Sequence, residues 1–563
     1  MIGVIANPSE HPVIREFFEL FKTPWEFYRS DRQYDVLLCS GDCALPRQHS
    51  RLIVIYAGRE LPADRDAGAQ IKSQRSAPCI LSYRGSRIPI YGSSIGFEGG
   101  AGSELIEGCS DEPAMCLDRS LGQVRARIGY DLFGEIHTLL TSGQPPANAG
   151  LPALELHIAV LRDLIAASGA PLLEIPPVPQ GYRFIACLTH DVDHPCIRPH
   201  RFDHTIFGFL YRALLGSPLK WLKGRVSWRA VAANWIAALK LPLVYLGLAE
   251  DFWSTYDRYI GLEGEARSTF FVIPFKGRAG RNGRGPAPGR RASAYGAADI
   301  EDRLRSLRVA GCEIGLHGID AWVDSSKGRE ELEEISRVTQ KAEIGVRMHW
   351  LYFDEHSPAT LEAAGAAYDS TVGYNGAVGY RAGTTQVYRP LGTTHLLELP
   401  LHVMDTALFY PSHMNLSSAE ARKLVREIID NAVRFGGCVT INWHDRSIAP
   451  ERLWGDFYLD LVNELRERGA WLANAGETVQ WFRERRAFAF DTPGLRSGAL
   501  HGRTAIDVGG GLPGLRLQKN NAADLRPSAA LGECGHLNPG TGAAALQEHA
   551  SQLPPEEPRI DLA

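Results

Sequence analysis

Apolar positions along the first part of the chain follow two different spacings, which predict short strands separated by helical or turn-rich stretches. Helical spacing places Val13, Phe17 and Phe21 on one face of Pro12–Phe21. The pattern predicts a small α/β domain over residues 1–150, with a partly parallel sheet. Its predicted strands are Met1–Ala6, Asp35–Cys39, Leu52–Tyr56 and Arg87–Tyr91. No glycine-rich dinucleotide motif or phosphate-loop lysine accompanies them, so we assign this part no nucleotide, and its role stays open.

A helix and a proline-rich connector follow over residues 151–181. The helix is predicted at Leu151–Ser168, and Ile175–Pro179 contains three prolines, which favours a domain boundary. Residues 182–485 then alternate between strands and helices, which predicts a (β/α) barrel or a related parallel arrangement. The predicted strands are Phe184–Thr189, Ser268–Phe275, Glu313–Leu316, Arg347–Trp350, Leu396–Pro400 and Cys438–Trp443, and the helices include Ile300–Ala310 and Arg329–Ile344.

Two segments interrupt or follow this alternation. Residues 200–259 are rich in Trp, Leu, Phe and Ala and predict helices inserted after the first strand, packed as a cap on the barrel. A lid over the site, or a weak contact with a membrane surface, is the alternative. Residues 486–563 contain Gly509-Gly510-Gly511 and little hydrophobic periodicity, which predicts a largely disordered tail.

Composition narrows the class of protein. A chain of 563 residues is too long to fold around one compact core, so we expect two or three domains. The net charge of −5 does not favour a nucleic-acid partner. Ten scattered cysteines indicate reduced thiols more than a disulfide framework. The N-terminus lacks a basic n-region, and Ala233–Ala249, the most apolar stretch, is short and interrupted by Lys240 and Pro242. We therefore expect a cytoplasmic protein without a transmembrane segment.

Polar residues with metal-binding or acid–base chemistry fall at the ends of three predicted strands. Asp191 and Asp193 lie two positions apart, so they project to the same side if the strand continues. His317 ends the strand at Glu313, and His444 follows the strand at Cys438. In parallel α/β folds the chemistry lies at the C-terminal ends of strands. One carboxylate can then bind a cation while the other serves as a base.

These motifs resemble those of the polysaccharide deacetylase superfamily, that is, carbohydrate esterase family four with its NodB-homology domain. The chain is most similar to a divergent branch with an N-terminal α/β extension and a Thr-His-Asp-Val-Asp first motif. Five pieces occur in the family's order over about residues 182–485. They are Leu188–Asp193, Ser268–Val272, Glu313–His317, Tyr380–Gly383 and Trp443-His444. The resemblance implies a distorted (β/α) barrel.

The resemblance also implies roles for individual residues. Asp191 would be the catalytic base, oriented by Arg381, and His444 the acid. Asp193 and His317 would bind the metal. The family's second motif carries another histidine four residues after His317, where this chain has Ala321. Two ligands under-coordinate a tetrahedral Zn²⁺ ion, and His349 at the next predicted strand end is the candidate replacement, with Asp320 and His194 as weaker alternatives. The aromatic rings of Trp322, Trp350 and Tyr352 are candidates for stacking on a sugar.

The expected activity is removal of an N-acetyl (or O-acyl) group from a sugar or polysaccharide precursor. One divalent ion is implied, with Zn²⁺ the first choice and Co²⁺, Ni²⁺ or Mn²⁺ as alternatives. Two other functions stay open at this point. One is a catalytically inactive glycan-binding or regulatory protein, which Ala321 favours. The other is hydrolysis of a different non-peptide C–N bond on the same fold.

Overall fold

The computed structural model describes residues 1–490 and 504–520, except positions 43–45, 47–48, 67–68, 99–103, 109, 121, 225 and 450. Two large sheets organise this part of the chain, one in the N-terminal third and one after residue 184. Cys116, Cys187, Cys196, Cys312 and Cys438 are free thiols. No helix among the described residues is long and apolar enough to cross a membrane.

The N-terminal sheet has six strands, and all its neighbouring pairs are parallel except the hairpin at one edge. In spatial order they are Met115–Ser120, Gln123–Ile128, Leu52–Tyr56, Val36–Ser40, Ile2–Ile5 and Trp25–Phe27. Helices His11–Phe21, Leu132–Leu140 and Ala153–Ala167 contribute buried side chains to the same core. The predicted strand near Arg87 exists as Ser86–Ile90, but it belongs to a separate antiparallel sheet with Cys79–Tyr83 and Leu105–Glu107.

The second sheet has seven strands, and every pairing within it is parallel. The strand Phe184–Val192 lies at the centre of this sheet. It is buried throughout, because a parallel sheet of this kind is covered on both faces. The order is Val346–Met348, Glu313–Gly318, Thr269–Val272, Phe184–Val192, Cys438–Asn442 and Val403–Met404, with Ala470–Ala473 also paired to the central strand. This curled parallel sheet with its helices confirms the predicted distorted (β/α) barrel.

Helices cover the second sheet and build the insertion. Those after the insertion are Glu301–Val309, Ser325–Thr339, Ser357–Ala364, Asp405–Phe409, Ser418–Phe435, Gly455–Glu467 and Ala475–Ala487. The insertion contains His204–Tyr211, the π-helical turn Arg212–Gly216, Ser217–Leu222 and Trp228–Tyr245, followed by Tyr256–Glu263. Its inner face buries Ile206, Phe209, Val244 and Trp253 in one cluster with Ile197 and Ala449, which lie outside the insertion.

Two predicted elements differ from the structure. The strand expected at Leu396–Pro400 is wrong, because Glu398 forms only isolated bridges with Asp369 and Tyr388, and Pro400 interrupts the segment. Most of the predicted disordered tail, residues 491–503 and 521–563, lies outside the described part of the chain. The remainder contains a hairpin, Thr504–Ile506 with Leu515–Asn520, whose second strand pairs with Leu172–Glu174. Its alternating Leu515 and Leu517 are buried, which accounts for the order there.

Candidate metal centre

The parallel register brings three strand ends to one edge of the sheet. Asp193 follows the central strand Phe184–Val192, and His317 lies in Glu313–Gly318, two strands away. His349 follows Val346–Met348, which pairs with the end of the His317 strand. Since the carboxyl ends of parallel strands share one edge, side chains far apart in sequence meet there.

Asp193, His317 and His349 are placed so that they could hold a metal ion. One ligand atom from each lies within 4.8 Å of the other two. Asp193 Oδ1 is 3.5 Å from Nε2 of His317 and 3.5 Å from Nε2 of His349. This Oδ1 is buried and has no hydrogen-bond partner among the described residues, as expected of an oxygen placed to bind a cation. One carboxylate and two imidazoles are ligands that Zn²⁺ accepts, and three protein ligands leave a coordination position open.

The protonation states suit metal binding. Burial alone would raise the pKa of Asp193, but the imidazoles of His317, His349 and His444 beside it bring it well below the usual range. Burial holds the pKa of His349 well below its ordinary value. Asp193 is therefore ionised and His349 neutral at neutral pH, and these are the forms that coordinate a metal ion.

Hydrogen bonds to the backbone hold the two imidazoles in place. His317 Nδ1 donates to the carbonyl oxygen of Arg347 at 3.0 Å, which leaves Nε2 free to face Asp193. Arg291 is buried, and its Nη2 donates to the carbonyl oxygens of Ile319 at 3.0 Å and His349 at 2.9 Å. One guanidinium thus connects the two strand ends that carry the histidines.

The backbone after His349 is held in an unfavourable conformation. Trp350 has φ of 66° and Leu351 has φ of 51°, values that side chains larger than glycine rarely adopt. Asn375 Nδ2 donates to the carbonyl oxygen of Trp350 at 3.0 Å and supports this turn. Strain of this kind is common where a fold fixes the position of a functional side chain, which here is His349.

Asp191 lies beside the metal set but has its own partners. Its Oδ2 is 3.9 Å from Nε2 of His317 and accepts a hydrogen bond from Asn442 Nδ2 at 2.7 Å. Its Oδ1 pairs with Arg347 Nη1 at 3.1 Å. Arg347 is fully buried and is itself held by Thr189 and by Ser370. The Asp191 carboxylate is therefore fixed on both oxygens.

His444 forms a second acid–base pair on the other side of Asp193. Its Nδ1 donates to Asp405 Oδ1 at 2.6 Å, and its Nε2 lies 3.8 Å from Asp193 Oδ2. Burial alone would lower the pKa of His444, but the carboxylates of Asp405, Asp193 and Asp191 outweigh it and raise the pKa to about 10. His444 therefore carries a proton at neutral pH and can act as an acid.

The structure separates the remaining predicted residues. Arg381 donates to the carbonyl oxygen of Gly373 at 3.0 Å and lies over the ring of Phe353, so the guanidinium at Asp191 is that of Arg347 instead. Trp322 is buried in the barrel core, with its ring 6.0 Å from Tyr352. Trp350 and Tyr352 are half-buried next to His349.

Sequence reasoning missed Arg347, Arg291 and Asp405. Arg347 could have been found only by asking which cation a buried acidic strand end requires. Arg291 bonds to backbone carbonyl oxygens, and nothing in its sequence position signals that role. Ala321, where the resemblance led us to expect a histidine, is fully buried in the core.

Comparison with known proteins is informative only at the level of structure. No protein-family model and no curated protein matches the chain. The similar solved structures include a protein described as a polysaccharide deacetylase from Mycobacterium smegmatis, at 20% identity and a TM-score of 0.34, over 56% of this chain and 98% of that one. Another so described, from Pseudomonas aeruginosa PAO1, is 15% identical with a TM-score of 0.35, over 58% and 99% of the two chains. Puue allantoinase is 14% identical with a TM-score of 0.35, over 58% and 99%.

Proposed function

We propose that this protein is a metal-dependent hydrolase that removes an N-acetyl (or O-acyl) group from a sugar or polysaccharide precursor. The observation that carries the proposal is the position of Asp193, His317 and His349 between a fixed carboxylate, Asp191, and a protonated imidazole, His444. A ligand set flanked by one base and one acid is what hydrolysis of an amide requires.

Asp193, His317 and His349 would hold the ion, with Zn²⁺ the first choice and Co²⁺, Ni²⁺ or Mn²⁺ as alternatives. When bound, a divalent ion supplies Lewis-acid polarisation of the acyl carbonyl and lowers the pKa of a water molecule. His349 takes the place of the histidine that the resemblance led us to expect at position 321. It comes from the neighbouring strand, so its Nε2 reaches the same Asp193 oxygen as His317 does.

The chain's own residues divide the proton transfers between them. Asp191 accepts the proton of the attacking water, and Arg347 with Asn442 keeps its carboxylate in one orientation. His444 then donates its Nε2 proton to the departing amine, which is otherwise a poor leaving group. Asp405 orients His444 through Nδ1. In this proposal Arg347 has the orienting role that the motif order suggested for Arg381.

Aromatic residues near the ligands are candidates for substrate contact. Trp350 follows His349 directly and is half-buried, as is Tyr352, so each could stack on a sugar ring. Trp322 is only 3% exposed, so we leave it out of this role.

The first experiment measures metal content by elemental analysis in the wild type and in Asp193→Ala, His317→Ala and His349→Ala. We expect about one equivalent of metal in the wild type and a loss in each variant. His356→Ala is the matched control, because His356 is exposed and outside the site. Wild-type protein that binds no divalent metal after reconstitution would refute the proposed centre.

The second experiment measures acetate release from a panel of N-acetylated sugars by the metal-loaded protein. Asp191→Asn should keep its metal and lose roughly 10²–10⁴-fold in turnover, the usual contribution of a general base. Full activity in Asp191→Asn would refute its role. Glycan binding without acetate release from any sugar would favour the binding-protein alternative.

A further inference from the structure

Three arginines lie beside the proposed reaction centre, and among the described residues none of them forms an ion pair with a carboxylate within 4.0 Å. Arg212 belongs to the π-helical turn of the insertion, Arg446 follows His444 by two residues, and Arg452 lies in the loop beyond. Arg452 Nη2 donates a hydrogen bond to the Tyr410 hydroxyl oxygen at 3.2 Å, and the charges of all three arginines act on that hydroxyl. The Arg446 guanidinium lies 5.0 Å from the ring centre of Trp253. We call these three side chains the arginine cluster.

The arginine cluster is under-satisfied within the described part of the chain. There, none of the three arginines forms an ion pair with a carboxylate within 4.0 Å. Arg212 Nη2 and Arg452 Nε are buried and lack any hydrogen-bond partner among the described residues. Buried guanidinium groups are normally paired, so donors left open at one place indicate a missing anion.

The charged groups of the cluster shift the pKa values of their neighbours, as expected of groups that lie close together. Burial, with the charges of Arg452 and Arg446, lowers the pKa of Arg212 to about 9. Burial alone would raise the pKa of Tyr410, but the three arginines outweigh it and lower the pKa to about 7. Nearby Glu451 uses its Oε1 to accept a hydrogen bond from Trp253 and forms no ion pair within 4.0 Å with the cluster.

The arginine cluster also lies where a substrate of the proposed centre would extend. Tyr410 follows the helix Asp405–Phe409, whose first residue holds His444. Arg446 follows His444 by two residues, and His444 Nε2 lies 3.8 Å from Asp193 Oδ2. The open donors therefore lie on the insertion side of the metal ligands.

We propose that Arg212, Arg446 and Arg452 bind a phosphate group carried by the acylated sugar. Arginine presents a planar set of donors that matches phosphate oxygens, and a phosphomonoester or diphosphate has enough charge to neutralise several guanidinium groups. The presence of an oxyanion site follows from the arginine cluster alone. Its assignment to the substrate rests on the proposed function.

The test has a binding arm and a kinetic arm, both on the metal-loaded protein. Calorimetry with inorganic pyrophosphate should give binding to the wild type that weakens by at least about tenfold in Arg212→Gln and in Arg446→Gln. Arg305→Gln, which changes an exposed arginine on a distant helix, should bind like the wild type. Because Arg212 is repelled by its neighbours, Arg212→Gln should not lower Tm, which separates loss of the site from loss of folding. Absent binding, or equal binding by all variants, overturns the site.

The kinetic arm compares N-acetylglucosamine with its 1-phosphate. A kcat/KM preference for the phosphorylated sugar that disappears in Arg212→Gln supports the assignment to substrate. Pyrophosphate binding without such a preference overturns that assignment and indicates a free anion. If neither sugar is deacetylated, the result contradicts the proposed function but not the oxyanion site. Pyrophosphate binding tests that site independently of activity.

A second, independent observation concerns the outer face of the insertion. Fifteen of the twenty exposed large hydrophobic side chains among the described residues lie between Phe202 and Leu248. On the helix Trp228–Tyr245 they form a stripe at helical spacing, Trp228, Trp235, Leu239 and Leu243, opposite the buried face that includes Val231 and Leu241. Exposed apolar surface of this extent on one element marks an interaction site.

The charge of the same segment identifies the partner. Residues 201–249 contain seven Lys and Arg and one Asp, a net charge of +6 in a chain whose total is −5. Lys220 and Lys223 lie next to exposed Trp221 and Leu222. Apolar side chains with tryptophans and flanking lysines match the interface of a bilayer that contains anionic lipid. A second copy of this chain would bring two such positive surfaces together.

We infer that the insertion docks on the surface of an anionic membrane, with its helices lying in the interface. Flotation with vesicles is the test. Wild-type protein should float with phosphatidylcholine–phosphatidylglycerol vesicles, and much less with phosphatidylcholine alone. Leu239→Ser should weaken partitioning by about tenfold. Val309→Ser is the matched control, since Leu239 is 77% exposed and Val309, outside the insertion, is 86% exposed.

Two results would overturn the docking proposal. One is a wild type that does not float with the anionic vesicles. The other is a vesicle-independent dimer in light scattering that Leu239→Ser disrupts, which would assign the face to a second copy of the chain.

Discussion

Replacement of Arg347 by methionine is expected to lower the free energy of unfolding by about 3–5 kcal/mol, because it breaks a buried ion pair from one side. Arg347 is 0% exposed, and the side chain of its partner Asp191 is 3% exposed. The substitution leaves Asp191 Oδ2 bonded to Asn442 but removes the only cation in contact with Oδ1 among the described residues. The uncompensated carboxylate, more than the lost hydrogen bonds, sets this magnitude.

A double-mutant cycle separates the ion pair from other effects of the substitution. Asp191→Asn removes the carboxylate charge, so Arg347→Met should cost less in that background. The coupling energy expected for residues in direct contact is about 1–3 kcal/mol. Arg381→Met is the control, because Arg381 bonds to Gly373, and its effect should add to that of Asp191→Asn within about 0.5 kcal/mol.

Urea denaturation followed by tryptophan fluorescence measures the cycle. Ten of the eleven tryptophans lie after residue 182, so the signal reports mainly on the barrel. A chelator in every sample prevents a bound metal from offsetting the loss of Arg347. Additive effects of Arg347→Met and Asp191→Asn, with coupling between Arg381 and Asp191 instead, would refute the assignment of Arg347 and restore the one made from motif order.

Three further predictions test the site and the core. Arg291→Met should weaken metal affinity by about 10–100-fold in a chelator competition, because Arg291 holds the backbone of both histidine-bearing strand ends; unchanged affinity would contradict this. Zn²⁺ at about 100 times its Kd should stabilise the wild type by about 2.7 kcal/mol in thermal unfolding and leave His349→Ala unchanged; an equal shift in both would place the ion elsewhere. Burial raises the pKa of Glu155 to about 7, so the folded protein keeps a proton that the unfolded chain releases above its ordinary value of 4.5. The stability from that proton is lost as pH rises from 4.5 through 7. Glu155→Gln should therefore gain on the wild type between pH 5 and pH 8, by up to about 3 kcal/mol in Tm-derived free energy, and a pH-independent difference would contradict the shift.

The sequence was sufficient to propose Asp193, His317 and His349 as one set, because each lies at the end of a strand with strong hydrophobic patterning. Asp193, His317 and His349 are separated by more than thirty residues from one another, and only the assumption of a parallel sheet places them together. The same reasoning could not find Asp405. Its strand, Val403–Met404, has two residues and shows no periodicity, and its partner His444 is reached only through tertiary packing.

The exchange of Arg381 for Arg347 has a comparable cause. Motif order pointed to Arg381, which lies between the strands Val346–Met348 and Val403–Met404. Order along the chain, however, does not determine where a side chain points in the fold. Arg347 precedes His349 by two residues in the strand segment and points to the interior, where Thr189, Ser370 and Asp191 require a cation. Burial of a carboxylate, rather than position in a motif, determines where the cation must be.

The insertion contributes to both additional sites, yet the two can be separated by single substitutions. Arg212 belongs to the arginine cluster, and its Nη2 is buried, whereas Leu239 lies on the exposed outer stripe. Arg212→Gln should therefore lose pyrophosphate binding and still float with anionic vesicles, and Leu239→Ser should show the reverse. If both single variants behave so, phosphate binding and membrane docking belong to separate parts of the insertion. Loss of both properties in either variant would instead mean that the substitution disturbs the fold of the insertion, and neither site could then be assigned to separate residues.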